Sequence, residues 1–326
     1  MFYKFNFLAA LLTITTLFVS CSSSKQLHTE GANIDKGLIS EEIIIVPDTF
    51  VLPDMPEELT EPNLRAEYLV MHYWDKFDFT DEDLITKPEV TEQAFVDYIN
   101  ILYYVTFAQA EESLTLTLKQ AEQNKNMYLH FASLFDKYYY EPNSPFRNEE
   151  FYIPVLNELV ASKILNKDEK SIYKFQLDMT KKNRVGNAAT DFTYSLKSGE
   201  SKKMSSIKSE YMILMFSNPD CSTCAEIIEA ITKSEIINNV ISMNNPTRTM
   251  LSILNIYIDQ DLSDWENNYH RLPADWINAY DKGATITKQK LYDVKAIPTL
   301  YLLDKNKKVI LKDTSLDTIE SFFDIP

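Results

Sequence analysis

Two cysteines three positions apart, in Cys221-Ser222-Thr223-Cys224, are the residues of this chain best placed to do chemistry. They follow the apolar run 211–216 and open a helical pattern through Ile227, Ile228 and Ile231, so the pair falls at a strand-to-helix junction. At that spacing two thiols can close on each other. The first turn of a helix offers unpaired backbone N–H groups and a partial positive charge, which favour a thiolate on the first cysteine. The chemistry this permits is thiol–disulfide exchange, with Cys221 as the attacking thiolate and Cys224, one turn in, as the resolving thiol.

The rest of the chain limits what else these thiols can do. Lys4 is followed by an apolar stretch over 5–19, then Ser20-Cys21 and the polar run 22–25. That stretch is short for a membrane span and suits the core of a signal peptide. A cysteine directly after the small Ser20 resembles a bacterial lipoprotein processing site, with Phe18-Val19-Ser20 as an imperfect lipobox. On this reading residues 1–20 are removed and Cys21 is lipidated; an ordinary secretory signal is the alternative, and either way the protein is exported. With Cys21 so used, Cys221 and Cys224 are the thiols that remain of the chain's 3 cysteines. His28, His72, His130 and His270 are scattered, whereas a zinc site needs four convergent ligands, so no metal and no cofactor is expected. The 48 acidic against 32 basic residues, a net charge of −16, argue against nucleic acid and against electrostatic adhesion to anionic lipid.

Composition divides the remainder. Residues 21–61 read as lipid anchor and linker, since prolines at 47, 53 and 56 and a run of acids keep such a segment extended; 43–46 is a candidate edge strand. No glycine lies between Gly37 and Gly186, and apolar residues recur there at helical spacing, so 62–182 is expected to be an all-α domain. Helices are expected near 64–74, 95–105, 110–123, 126–139, 146–165 and 168–182, with Thr91, Asn148 and Asp168 as N-caps. The aromatic residues of this region, Tyr138-Tyr139-Tyr140 among them, read as core filler ahead of a ligand cage. From 183 to 326 short strands alternate with helices: strands near 192–196, 211–216, 251–258, 299–303 and 309–311, helical pieces near 262–280 and 287–293, and a closing helix over 316–323. That is an α/β layered domain.

Phe216-Ser217-Asn218-Pro219-Asp220-Cys221-Ser222-Thr223-Cys224, followed far downstream by Val294-Lys295-Ala296-Ile297-Pro298-Thr299, resembles the thioredoxin fold, the second segment resembling its cis-proline loop. Gly186 to Phe192 resembles the opening strand of TlpA- and ResA-like thioredoxins. The stretch from Leu52 to Phe79 resembles an uncharacterised helical domain that precedes thioredoxin domains in exported bacterial lipoproteins. The resemblance implies a cis peptide at Pro298, its loop beside the sulfurs, and an Ile297 backbone that pairs with an extended substrate.

This chain departs from the familiar pattern in ways that bear on redox tuning. Asp220 replaces the tryptophan before the first cysteine, and Ser222-Thr223 replace glycine-proline. Met215 stands where many thioredoxins bury an acid; Glu226, the nearest downstream carboxylate, reads as an exposed first-turn acid. Asp220 opposes a neighbouring thiolate, while the Thr223 hydroxyl is a possible donor to it. Residues around 243–248 and 265–283 are extra relative to a minimal thioredoxin. The resulting expectation is a lipid-anchored thiol–disulfide oxidoreductase, a reductase or isomerase of protein disulfides, facing the periplasm from the inner or outer membrane. Its partners would be envelope protein thiols and disulfides, the membrane through Cys21, and a membrane electron donor. The alternative is an envelope binding module in which the thioredoxin fold is scaffold and the cysteines form a static bridge.

Overall fold

The computed structural model describes residues 49–324. The expected signal segment, Cys21 and the candidate strand at 43–46 lie outside the described residues. The first part of the described chain is helical: α1 (Pro62–His72), α2 (Thr91–Ile101), α3 (Phe107–Ala121), α4 (Lys125–Phe135), α5 (Glu149–Ala161) and α6 (Glu169–Lys181). Helix α3 shows how sequence sets these elements. Ala110, Leu114, Leu118 and Ala121 fall on one buried face, and Thr106 and Gln109 form a reciprocal capping box at its start. Most of the aromatic residues fill the core, with Trp74 packed edge-on to Phe131 at 5.0 Å and to Tyr98 at 5.5 Å, while Tyr103, Tyr104 and Phe107 stay exposed. Among the described residues, no helix is long and apolar enough to cross a membrane.

Two of the three expected caps behave differently. Asn148 does cap α5, accepting from the Phe151 N–H at 3.2 Å. Thr91 lies inside α2 instead, its hydroxyl donating to the Leu84 carbonyl at 2.7 Å. At α6 the capping oxygen is Asn166 Oδ1, which accepts from the Asp168 and Glu169 N–H groups at 2.9 and 3.0 Å, and Asp168 makes no side-chain cap. After α4 the chain widens into a π-helical turn, Asp136–Tyr140, which sends three consecutive tyrosines to different places. Tyr138 donates to Glu92 at 2.6 Å, Tyr139 is buried in the core, and Tyr140 lies at the core's edge against Tyr152 with its hydroxyl reaching Asp293.

The second part holds β1 (Thr193–Leu196), β2 (Ser201–Lys203), β3 (Tyr211–Ser217), α7 (Ser222–Lys233), α8 (Glu235–Ser242), β4 (Leu251–Tyr257), α9 (Leu262–Asn268), β5 (Ile277–Tyr280), α10 (Thr285–Lys288), β6 (Thr299–Asp304), β7 (Val309–Leu311) and α11 (Leu316–Phe323). These form a 7-stranded sheet in the order β2-β1-β5-β4-β3-β6-β7. Strands β3, β4 and β5 run parallel, and β6 and β7 continue antiparallel beyond β3. One face packs Leu214, Phe216, Tyr292 and Tyr301; the other packs Ile213, Met215 and Cys224 beneath α7, α8 and α11. The helix that opens at the cysteine pair ends at Lys233, and the hydroxyl of Ser234 caps α8. Strand β5 lies within the stretch read as helical at 262–280. It is short, and its Asn278 interrupts the apolar signal; that amide is buried in a hydrogen bond with Asn255 on β4 at 3.3 Å.

Candidate functional site

Strand β3 ends at Ser217, and four residues later Cys221 is the N-cap of α7. Its Sγ accepts from the Cys224 backbone N–H at 3.2 Å, the place a Ser or Asp side chain would take in an ordinary cap. The same sulfur lies 3.7 Å from the Ile297 carbonyl, toward which its S–H donates. Negative charge on this sulfur therefore meets an N–H and the positive end of a helix. Both cysteines are free thiols; Cys221 is half-buried and Cys224 is fully buried. The hydroxyl of Thr223, offered by the sequence as a donor to Cys221, is exposed and is not among the partners of that sulfur.

The Ile297–Pro298 peptide bond is cis. It sits at the entry to β6, where Thr299 Oγ1 donates back to the Ala296 carbonyl at 2.6 Å. Among the described residues the Ile297 N–H and C=O make no backbone hydrogen bond, so this edge faces the sulfur with no main-chain partner. Cys221, Cys224, Ile297 and Pro298 are thus brought to one place. Asp220 is exposed, and its carboxylate accepts from Asn268 on α9 at 3.2 Å. Its charge raises the pKa of neighbouring Asp264 above the usual carboxylate value. Glu226 is exposed on α7. Met215 is fully buried in the same apolar cluster as Cys224, so no carboxylate lies at that position under the second thiol. Burial first, and the adjacent Cys221 thiol second, push the Cys224 pKa up to about 12, against a weaker opposing hydrogen bond from the Asn218 backbone. Beside α7 runs a cleft of about 540 Å³ lined by Pro219, Ala225, Ile228, Leu272 and Pro273, the last two from the stretch between α9 and β5.

Residues 20–183 match the family described as a domain of unknown function (DUF5106), and residues 209–309 match the Thioredoxin-like family. A thioredoxin-like protein from Bacteroides caccae, seen in a crystal structure, is 43% identical, covers 85% of this chain and 98% of its own, and superposes with a TM-score of 0.80. The chain belongs to the thioredoxin-like proteins that carry an N-terminal DUF5106 domain. The C-terminal domain of an uncharacterized protein from Bacteroides fragilis is 41% identical over 43% of this chain and 97% of its own, with a TM-score of 0.41. The thioredoxin domain of a thiol-disulfide oxidoreductase from Bacteroides vulgatus is 20% identical over 43% of this chain and 99% of its own, with a TM-score of 0.37. No curated protein matches.

A group of charged residues behind the cis-proline loop of this thioredoxin-like protein escaped sequence reasoning. Lys295 Nζ contacts Glu149 Oε1 at 2.8 Å and Asp293 Oδ2 at 3.2 Å, and sits over the Tyr140 ring at 3.7 Å from its centre. Tyr140 donates to Asp293 Oδ2 at 3.2 Å. Lys312 contacts the other oxygen of Glu149 at 2.7 Å and donates to the Thr180 and Lys182 carbonyls at the end of α6. Arg147 pairs with Asp313 at 2.9 Å. Burial alone would raise the Glu149 pKa, yet Lys312 and Lys295 together hold it below the usual carboxylate value. The available signal was a Lys and an Asp flanking Val294 in a stretch otherwise built of core residues.

Proposed function

We propose that this protein is an exported, lipid-anchored thiol–disulfide oxidoreductase that reduces or rearranges disulfides of envelope proteins. One observation carries the reading. The Cys221 sulfur caps a helix, accepts an N–H, and faces across 3.7 Å an Ile297 backbone that has no main-chain partner. The Cys221 thiolate attacks one sulfur of a substrate disulfide, and the other leaves as a thiolate that takes up a proton. The substrate strand beside the mixed disulfide pairs with the Ile297 N–H and with its C=O, which the Cys221 S–H no longer occupies. Cys224 then gives up its proton and attacks Cys221 Sγ, expelling the second substrate sulfur, which is protonated in turn. The substrate gains two electrons and the protein is left with a Cys221–Cys224 disulfide, which an external dithiol donor must reduce. For anchoring, the support is the signal-like segment followed by Cys21.

The test is a trapping experiment. With Cys224→Ser, mixed disulfides with envelope proteins are expected to accumulate through Cys221, and with Cys221→Ser none, because Cys224 is fully buried. A Cys224→Ser protein that traps nothing, together with a wild-type pair that never oxidises in glutathione buffers, refutes the activity and leaves the thioredoxin-like layer as a binding scaffold. Anchoring is tested by incorporation of labelled fatty acid, which Cys21→Ala should abolish.

A further inference from the structure

The helical part of the chain reaches the sheet at the segment that leads into the cis-proline. The π-helical turn lays the Tyr140 ring along the edge of the helical core, against Tyr152, and brings its hydroxyl onto Asp293, while the start of α5 presents Glu149 to Lys295. Asp293 and Lys295 lie four and two residues before Ile297, whose carbonyl faces Cys221. Side-chain exposure of Lys295 and Asp293 is only 9% each, and that of Glu149 is 14%, so water does little to screen this cluster. We infer that the helical domain is the positioning frame of the active site: Glu149 and Tyr140 hold Lys295 and Asp293, and through them set the Ile297 backbone opposite Cys221.

The arrangement goes beyond adhesion between two layers. Simple adhesion is met at Lys312 and Arg147, which tie the layers together after β7 and bond no residue of the loop itself. Lys295 instead has its three partners, an acid from α5, an acid on its own loop and an aromatic face from the π turn, arranged around a residue two positions from the substrate-facing carbonyl. Its chain neighbours Val294 and Ile297 pack into apolar clusters on opposite faces of the sheet. Lys295, Asp293, Glu149 and Tyr140 are therefore positioning residues, acting through Ile297 and touching neither the sulfurs nor the substrate.

The inference rests on the proposed exchange activity, and the experiment keeps the two separable. In a Cys224→Ser background of the full chain, the rate of mixed-disulfide formation at Cys221 is measured with two probes. One is bis(2-hydroxyethyl) disulfide, which has no backbone to pair with Ile297; the other is an extended peptide whose cysteine is glutathionylated. Lys295→Met leaves Glu149 with Lys312 and Asp293 with Tyr140, so neither acid is stranded. It is expected to slow the peptide reaction about tenfold or more, as misplacement of a binding edge does, while the small disulfide reacts within about twofold of the parent rate. Lys312→Met, which also removes a lysine from Glu149 and in addition uncaps two carbonyls, should leave the ratio of the two rates unchanged. Tyr140→Phe keeps the ring and loses only its bond to Asp293; it should move the ratio in the same direction, and Lys295→Arg should restore it. Should Lys295→Met fail to fold, Tyr140→Phe and Lys295→Arg carry the comparison. An unchanged ratio in folded Lys295→Met or Tyr140→Phe, or an equal change in Lys312→Met, overturns the inference. A parent protein that reacts with neither probe refutes the exchange activity instead.

Discussion

Resolution of the mixed disulfide is the step on which the buried second thiol makes the strongest demand. Burial is the larger cause of the Cys224 pKa of about 12, against an ordinary 9.0, and it persists once Cys221 is capped by substrate. At pH 7 a thiol of ordinary pKa is about 1% thiolate, whereas one near 12 is ~1000-fold less ionised. Nucleophilicity climbs with basicity at a Brønsted slope of about 0.4–0.5, which returns roughly 15- to 30-fold of that loss. Resolution by Cys224 should then run slower than by an ordinary thiol at pH 7, by at most roughly 30- to 60-fold, since the part of the shift owed to the Cys221 thiol is lost once substrate caps it. It should rise about tenfold per pH unit through pH 9 without levelling, whereas an ordinary thiol would level there. The assay loads Cys221 with glutathione by rapid mixing, steps the pH between about 7 and 10, quenches with acid, and follows loss of the adduct by intact mass. A plateau at or below pH 9, or a rate independent of pH, would refute the argument that an apolar bed under Cys224 governs this step.

Two further outcomes concern stability. Phe131→Ala removes a fully buried ring packed on Trp74 and Phe79, and should cost about 3–5 kcal/mol in denaturant unfolding. A cost under about 1 kcal/mol would mean that the aromatic core can collapse around the cavity. Tyr98 and Tyr128 are buried phenols whose pKa values are raised to about 12, chiefly by desolvation. An unfolded tyrosine ionises near pH 10 while these keep their protons. Their contribution is therefore complete below about pH 10 and is lost as pH rises toward 12, at about 1.4 kcal/mol per unit for each phenol. Thermal melts followed with tyrosinate absorbance should show Tm falling from about pH 10 upward; a Tm that stays flat to about pH 12 contradicts this.

What could be read from the sequence was what rests on local chemistry. The cysteine pair lies at a strand-to-helix junction because an apolar run and a 3.6-residue period meet there, and both survive in the structure as β3 and α7. The α3 face and the Asn148 cap were legible for the same reason. What failed depended on partners or turns that the periodic pattern does not carry. Thr91 has the chemistry of a cap, but α2 already begins at Thr91, whose hydroxyl donates back to the Leu84 carbonyl of the preceding turn. Asn278 looks like an interruption until Asn255 is set beside it on a neighbouring strand. The second range expected as one helix, 95–105, ends as a helix at Ile101 and tightens into a 3₁₀ turn over Leu102–Tyr104 before Val105 becomes extended. Nothing in the 30 residues around Pro298 announces Glu149 or Tyr140, which come from more than a hundred positions upstream.

Met215 also bears on which product leaves the enzyme. Under the proposed activity, a substrate held on Cys221 is released either by Cys224 or by another cysteine of the same substrate. Release by Cys224 consumes the protein's electrons. Release by the substrate's own thiol returns Cys221 reduced and leaves the substrate with a relocated bridge. An apolar residue under Cys224 slows the first route and leaves the second untouched, so dwell time on Cys221 divides the flux between reduction and rearrangement. Up to about pH 9 both thiols gain thiolate about tenfold per unit and the division holds. Above it the substrate thiol has levelled while Cys224 still gains, so alkalinity tips the division toward reduction; a ratio of reduced to relocated product that does not move between about pH 9 and 10 removes the apolar bed from this role.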